Sequence, residues 1–133
     1  MNPEQGPPTE TFTFEGLACW QEARRLRILI ARKIVKELPF EERRRLADQL
    51  LRAARSTTAN IAEGYGRYHF RDNYRFCAQA RGSCFEVLDH LITAVDEDLL
   101  TEEMLAEGRA AVVTSVKVLN GYMAYLKRRA GSD

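Results

Sequence analysis

A run of small side chains between residues 52 and 67 constrains this chain more than any other stretch. From residue 53 to residue 64 nearly every side chain is small. A helix with so little bulk on its surface lets a neighbouring helix approach closely, because the side chains at the contact set the distance between the two axes. The stretch therefore predicts a closely packed pair of helices. The larger side chains within it are Arg55, Asn60, Ile61 and Glu63.

Two polar side chains interrupt this run. Asn60 and Glu63 are three positions apart, so they lie on one face of a helix, and Arg67 follows shortly after them. Polar groups in a tightly packed region need hydrogen-bond partners. We expect those partners on a later helix, in a cluster that stabilises the fold and carries no catalysis. The predicted structural polar cluster comprises Asn60, Glu63, Arg81 and Glu86.

Apolar residues recur at spacings of three and four along the chain, which is typical of amphipathic helices. Pro39 ends the first predicted helix. Gly64 and Gly66 end the second, and Thr101 caps the fourth. Short links favour antiparallel neighbours, so the sequence predicts an all-α, antiparallel up-down-up-down four-helix bundle over residues 14–130, with a flexible tail at residues 1–13. The predicted helices span about 16–37, 41–64, 70–97 and 102–130.

The first predicted helix carries apolar residues beyond one stripe. A wide apolar face on a bundle helix favours a second buried surface, as in an oligomer contact. The residues outside the main stripe are Ile28, Leu29, Ala31 and Val35.

Gly82 lies inside the third predicted helix. A glycine there costs about 1 kcal/mol relative to alanine. We therefore expect a neighbouring helix to approach closely at Gly82.

Several short motifs resemble the signature of a bacterial family known as four helix bundle proteins. They are residues 60–64, 66–67 and 80–83, together with Phe76 and Glu86. This family includes the 23S rRNA intervening-sequence proteins and is similar to the accessory variability determinant of diversity-generating retroelements. The resemblance covers the chain from about Phe14 to Leu126. Two positions depart from the pattern, His69 where a Ser or Thr cap is expected and Asn73 where an aromatic residue is expected.

The resemblance implies a cytoplasmic bundle, often a homopentamer, without known catalysis. In the retroelement branch it implies a partner of a reverse transcriptase and of nucleic acid. We therefore expect a homo-oligomer, with a pentamer as the implied size.

Composition agrees with a soluble domain. Of the 133 residues, 29% are charged and 45% are apolar, which is ordinary for a globular protein. No apolar run approaches the ~20 residues of a membrane span, and the first residues lack the features of a signal peptide. We expect a cytoplasmic protein that does not contact a membrane. Its three cysteines contain no Cys-x-x-Cys pair, which favours reduced thiols that pack in the core.

Enzymatic chemistry has little support in the sequence. The most suggestive group is Glu86, Asp89 and His90, but di-iron bundles use Glu-x-x-His on two helices and further glutamates. Here Glu86 and His90 are four apart. No hydroxyl or thiol has a base and an orienting acid at a recognisable spacing. We expect no enzyme, no metal and no cofactor.

The charge distribution is the remaining functional signal. Residues 41–82 hold nine arginines and five acids, a net charge of +4, and residues 83–110 hold eight acids and one arginine, a net charge of -7. Arginines interleaved with aromatic rings are typical of surfaces that bind RNA loops or single strands. The candidate phosphate contacts are Arg52, Arg55, Arg67, Arg71 and Arg75, and the candidate stacking residues are Tyr65 and Tyr68.

The total charge of +1 supplies little of the attraction that dominates nucleic-acid binding. An alternative therefore stays open, a protein-interaction scaffold whose arginines serve subunit contacts or solubility. Opposite charges could also meet between subunits and close a ring. In that arrangement Asp96, Glu97, Asp98, Glu102 and Glu103 face Arg43, Arg44, Arg45 or Arg52 of the next subunit.

Overall fold

Four long helices make up most of the chain in the computed structural model, which describes residues 13–42 and 44–132. The described residues contain no strand, so the predicted all-α bundle is confirmed. Most of the predicted tail, and Arg43, lie outside the described residues. The helices are α1 (Ala18–Leu29), which continues through a π-helical turn (Ile30–Ile34) and a 3-10 turn (Val35–Glu37), α2 (Leu46–Tyr65), α3 (Phe70–Asp96) and α4 (Glu102–Arg129).

The π-helical turn has a cause in the spacing of the core residues. Four apolar residues of this segment follow one another at intervals of four. On a regular α-helix each such step turns the side chain by about 40° away from the first. The wider turn of a π-helix reduces that drift, so all four side chains reach the core. These residues, each at most 1% exposed, are Leu26, Ile30, Ile34 and Leu38.

The second helix begins later than the sequence pattern indicates. It starts at Leu46 instead of near residue 41, and Phe40–Glu42 form a separate 3-10 turn. No Ser, Thr, Asp or Asn is available as a cap between residues 40 and 45, and Arg45 precedes α2 without a side-chain cap. By contrast, Thr101 caps α4 as predicted, because its Oγ1 accepts a hydrogen bond from Met104 N at 3.1 Å.

The buried side chains form two clusters. The first cluster takes the second half of α1, the first half of α2, the second half of α3 and the first half of α4. The second cluster contains residues from the first half of α1, the second half of α2, the first half of α3 and the second half of α4. Since each helix passes through the two clusters in the reverse order of the helix before it, successive helices run antiparallel. The end of the bundle that holds the second cluster is called the α2–α3 end here, and the other is called the α3–α4 end.

The predicted close packing within the run of small residues involves α2 and α3. Gly64 is buried near the end of α2. A Cβ atom added to it would lie 2.9 Å from Phe76 Cβ and 3.0 Å from the backbone oxygen of Asn73. Gly64 therefore permits the contact between the two helices. The helix continues through it to Tyr65, and Gly66 follows as the C-terminal cap.

The predicted close approach of a neighbouring helix at Gly82 is wrong. Gly82 is exposed, and a Cβ atom there would meet no described atom within 4 Å. The second close approach is at Gly108 of α4 instead, where a Cβ atom would collide with the side chain of Leu91 and lie 3.4 Å from Ile34 Cδ1. Helix neighbours thus approach at buried glycines, whereas Gly82 faces away from them.

Replacing Gly64 with alanine is expected to lower the free energy of unfolding by about 1–3 kcal/mol, because overpacking forces the backbone of α2 or α3 to shift. The matched control is Gly66→Ala, since the nearest atoms to a Cβ at Gly66 are 3.6 Å and 3.7 Å away. That change should stay within about 0.5 kcal/mol. Urea unfolding followed by circular dichroism measures both variants, and a Gly64→Ala protein as stable as the unaltered one would contradict the close contact.

Candidate nucleic-acid interface

The seven residues predicted to contact nucleic acid fall into two groups. Arg52 and Arg55 are exposed on α2. The other five lie at the α2–α3 end. Arg55 precedes Tyr65 by ten positions of helix and Arg52 precedes it by thirteen, so these two arginines lie about 15 Å and about 20 Å from Tyr65 along the axis. The group at the α2–α3 end comprises Tyr65, Arg67, Tyr68, Arg71 and Arg75.

Arg67 is held by two neighbours. Its Nη2 lies 3.2 Å from Glu63 Oε2, and its guanidinium carbon lies 4.7 Å from the centroid of the Phe76 ring. A guanidinium has five N–H donors, so this ion pair leaves donors for a phosphate. An exposed ion pair of this kind contributes at most about 1 kcal/mol, and its main effect is to fix where the charge sits.

The other two arginines lie on the first turns of α3. Arg75 is exposed and its Nη2 donates to Asp72 Oδ1 at 2.8 Å. Arg71 is exposed one turn before it. His69 precedes α3 in an extended conformation without a side-chain cap, which agrees with its departure from the family pattern.

Aromatic rings surround a small cavity at this end. Tyr68 is 93% exposed, and its ring meets the His69 ring edge-on at 4.8 Å. Rings from α3 and α4 form the opposite side. The cavity has a volume of about 160 Å³. It is lined by Tyr65, Arg67, Tyr68, His69, Phe70, Asn73, Tyr122, Tyr125 and Leu126.

A fourth arginine joins this surface from α4. The guanidinium carbon of Arg129 lies 5.2 Å from the centroid of the Phe70 ring. A basic residue at this position also suits the negative end of the α4 dipole. The antiparallel packing of α3 and α4 brings Arg129 beside the first turn of α3, so its place in the site could not be predicted from the sequence alone.

The predicted structural polar cluster is not assembled. Asn60 Nδ2 donates to the backbone oxygen and to Oγ of Ser56, both at 2.9 Å, and Ser56 Oγ lies 2.8 Å from Ser83 Oγ of α3. Of the four predicted residues only Asn60 is thus linked across the α2–α3 contact, through Ser56. The others have separate partners, Glu63 with Arg67, Arg81 with Asn120 and Glu86 with His90.

The reason for this difference is exposure. Glu63 and Glu86 point to solvent and pair with residues four positions away on the same stretch of chain. Arg81 lies on the side of α3 that faces α4, where its Nη1 donates to Asn120 Oδ1 at 2.7 Å. Shared spacing along one helix does not determine which neighbouring helix a side chain faces.

A buried polar contact instead joins α3 and α4. Asn73 Nδ2 donates to Tyr122 Oη at 3.0 Å, and the Cys77 thiol donates to Asn73 Oδ1 at 3.5 Å. Asn73 is 7% exposed and Tyr122 is 2% exposed. The sequence had marked Asn73 only as a departure from an expected aromatic residue, so its partner was missed.

The cysteines are buried and free, as predicted for core thiols. Burial raises the pKa of Cys77 to about 12 and that of Cys84 to about 11, and it also raises the pKa of Cys19. The thiolate is the reactive form of cysteine. Near neutral pH these side chains therefore remain thiols inside the core.

Within residues 13–42 and 44–132, no three His, Cys, Asp or Glu side chains lie close enough together to hold a metal ion.

The family of the chain follows from a comparison with known families. The model of the 23S rRNA-intervening sequence protein matches residues 15–121 of the 133. The chain belongs to that family. This confirms the resemblance carried by the motifs at residues 60–67 and 80–83. A comparison with curated protein sequences finds no match.

The matched range has a consequence for the site in this member of the 23S rRNA-intervening sequence family. It includes the α2–α3 turn with Arg67 and Tyr68, but it stops before Tyr122, Tyr125 and Arg129. Those three residues of α4 lie beside the turn only because of the fold.

In the described part of the chain, no helix has the length and apolar character that crossing a membrane requires.

Replacing Tyr122 with phenylalanine is expected to lower the free energy of unfolding by about 1–3 kcal/mol, because it leaves the buried amide of Asn73 without its acceptor. Tyr125→Phe is the matched control. Tyr125 is only partly buried, and phenylalanine keeps its ring contact with Phe70. Thermal or urea unfolding compares the two variants. Equal stabilities would show that the Asn73–Tyr122 contact contributes little.

Proposed function

We propose that this protein is a non-enzymatic, oligomeric binding protein whose α2–α3 end contacts single-stranded or looped nucleic acid, free or within a nucleoprotein partner such as a reverse transcriptase complex. One observation carries the proposal. Arginines from the turn and from two helices lie at the same end of the bundle as a group of tyrosine rings. Guanidinium groups beside stackable rings are what single-strand and RNA-loop binding uses. The arginines are Arg67, Arg71, Arg75 and Arg129.

The separation of charges supports this use. Helix α3 has 27 residues and is therefore about 40 Å long. Asp96 is the last residue of α3, and Glu97 and Asp98 follow it at the α3–α4 end. Glu102 and Glu103 lie nearby at the start of α4. Exposed charges are screened beyond about 8 Å at physiological ionic strength. The acids thus cancel little of the positive potential around Arg67, and a net charge of +1 does not argue against nucleic-acid binding.

The proposed absence of catalysis rests on the reactive side chains. The three thiols are buried and protonated near neutral pH. Thr57 and Ser115 are buried in the bundle, and Thr57 Oγ1 donates to the backbone oxygen of Ala54 at 2.7 Å. A hydroxyl bonded in this way serves helix packing.

Removing Arg67 and Arg71 together by alanine substitution is expected to weaken binding to a single-stranded oligonucleotide or a structured RNA. The slope of log K against log salt concentration should fall by about 1 for each phosphate that the protein no longer neutralises. Fluorescence anisotropy at low and near-physiological salt measures both effects. The matched control removes two exposed arginines from the half of the bundle nearer the α3–α4 end, Arg32 and Arg109, which changes the net charge equally.

Equal loss of affinity in both double variants would mean that only total charge matters. No binding even at low salt would favour the alternative, a protein-interaction scaffold without nucleic-acid affinity. The pairing of Arg67 with Glu63 and of Arg75 with Asp72 within the chain is the observation that supports this alternative, since arginines engaged in this way also serve solubility and surface stability.

The proposed oligomer has a candidate contact in the groove between α1 and α2. The groove has a volume of about 530 Å³ and an apolar lining. Trp20 and Phe14 form one part of it, with ring centroids 5.1 Å apart, and Ala59 lies on the opposite wall. Arg27 and Arg55 border it. We propose that a second copy of this chain covers the groove and that the ring is homopentameric, as the family resemblance implies.

The apolar face predicted on the first helix contributes less to this contact than its sequence suggests. Leu29 and Val35 are partly buried against the subunit's own core, while Ala31 is exposed and lines the groove. Arg44 and Arg45 lie at the α3–α4 end, as do the acidic residues 96–98. Pairing between these two groups in adjacent subunits therefore stays a prediction, in which each subunit would present both charges at one end.

Replacing Ala59 with glutamate is expected to reduce the oligomer to smaller species, because a carboxylate placed in the apolar groove loses its hydration when a partner covers it. Ala124→Glu is the matched control, since Ala124 is also exposed on a helix and lies outside the groove. Light scattering after gel filtration, at low salt and micromolar concentration, gives the mass. A monomeric mass for the unaltered protein would refute the oligomer.

A further inference from the structure

We propose that the cavity at the α2–α3 end binds one unstacked nucleobase of a single-stranded nucleic acid. This inference rests on the proposed function and adds the site at which a base, as distinct from the phosphate backbone, is held. The cavity brings together three kinds of group that such a site needs. These are aromatic faces for the ring, an amide for its polar edge and guanidinium groups for the flanking phosphates.

The size of the cavity limits its ligand. Its volume is about 160 Å³, whereas pockets for drug-sized ligands measure about 300–1,000 Å³. A single planar ring system is compatible with this volume, and a complete dinucleotide is not. The sugar and phosphates of a bound nucleotide would therefore remain outside the cavity, on the surface that carries the arginines.

One side of the aromatic lining is packed against the core, and the other side is exposed to solvent. The Tyr125 ring lies nearly parallel to the buried Tyr122 ring, at 18° with centroids 6.2 Å apart, and it meets the Phe70 ring edge-on at 6.4 Å. Tyr65 and Tyr68 form the exposed side. A base that enters between these sides can stack on a ring whose position is already determined by the core, and Tyr68 is available to cover it.

The polar group in the lining is the amide of Asn73. One of its N–H bonds is directed to Tyr122 Oη. Its Oδ1 accepts a weak hydrogen bond from the Cys77 thiol at 3.5 Å. An asparagine side chain offers two N–H donors, so one N–H remains for an acceptor atom on the edge of a base. Protein recognition of unpaired bases commonly combines such an edge contact with stacking.

Cations flank the cavity on two sides. Arg67 belongs to its lining, and the Arg129 guanidinium lies 5.2 Å from the Phe70 ring that also lines it. Phosphates on either side of an inserted base would reach these two groups. The same residues would therefore supply the salt-dependent part of the affinity, and the rings would supply a part that depends on the presence of a base.

The test compares two probes of equal charge, a fluorescein-labelled oligothymidylate and an abasic DNA oligomer of the same length. The unaltered protein is expected to bind the oligothymidylate about tenfold more tightly, the size of effect typical of one base stacked on an aromatic side chain. Tyr68→Ala should abolish most of that preference. Because Tyr68 is 93% exposed, its replacement should not affect folding.

The control variant is Phe85→Ala, which removes a 52% exposed aromatic ring far from the cavity and should retain the preference. Equal affinity of the unaltered protein for both oligomers, or an unchanged preference in Tyr68→Ala, would overturn the base site while leaving nucleic-acid binding intact. Failure to bind either oligomer at low salt would instead overturn the proposed function, and the base site with it.

Discussion

The contact between α2 and α3 at Gly64 is the constraint on which the rest of the structure depends. No side chain larger than hydrogen fits there, because a Cβ atom would lie 2.9 Å from Phe76 Cβ. This approach brings the start of α3 against the end of α2 and makes the turn between them short. It also places Asn73 at the contact, from which its amide reaches Tyr122 on α4. The absence of a side chain at Gly64 thus permits the contact of α2 with α3, and the Asn73–Tyr122 hydrogen bond joins α3 to α4. Asn73 and Tyr122 both line the cavity at the α2–α3 end.

The fold also separates charges that the chain carries close together in sequence. Residues 41–82 and 83–110 have opposite net charges, but the sequence boundary between them falls in the middle of α3. Along the bundle this separation is partial, because Arg44 and Arg45 share the α3–α4 end with the acidic residues 96–98. The arginines that follow α2 lie at one end, and residues 96–98 lie at the other, about 40 Å away along a helix of this length. Local charge, rather than the total of +1, is therefore the quantity relevant to binding a polyanion.

Particular residues explain which features the sequence pattern predicts and which it does not. The helices α3 and α4 follow from apolar spacing and from the Thr101 cap, because both signals are local to one helix. The start of α2 does not, since residues 40–45 hold charged side chains that are compatible with a helix but no good cap. Gly82 and Gly108 both lie inside a long helix, α3 and α4 respectively. Of these two, Gly108 faces a neighbouring helix and Gly82 does not. Apolar spacing agrees with this difference, since Gly108 follows the buried Leu105 by three positions and precedes the buried Val112 by four, whereas Gly82 lies two positions from the buried residues on either side of it.

The sequence by itself determined the helical class, the family and the polar and basic residues that surround the α2–α3 turn. Only the tertiary structure decided that Tyr122, Tyr125 and Arg129 join that turn, and that Glu63, Arg81 and Glu86 have separate partners. The physical reason lies in the range of each signal. Periodicity reports which face of a single helix is buried. The residue that a side chain meets on another helix depends on the rotation and axial shift between helices, and these are set by the packing of the whole core.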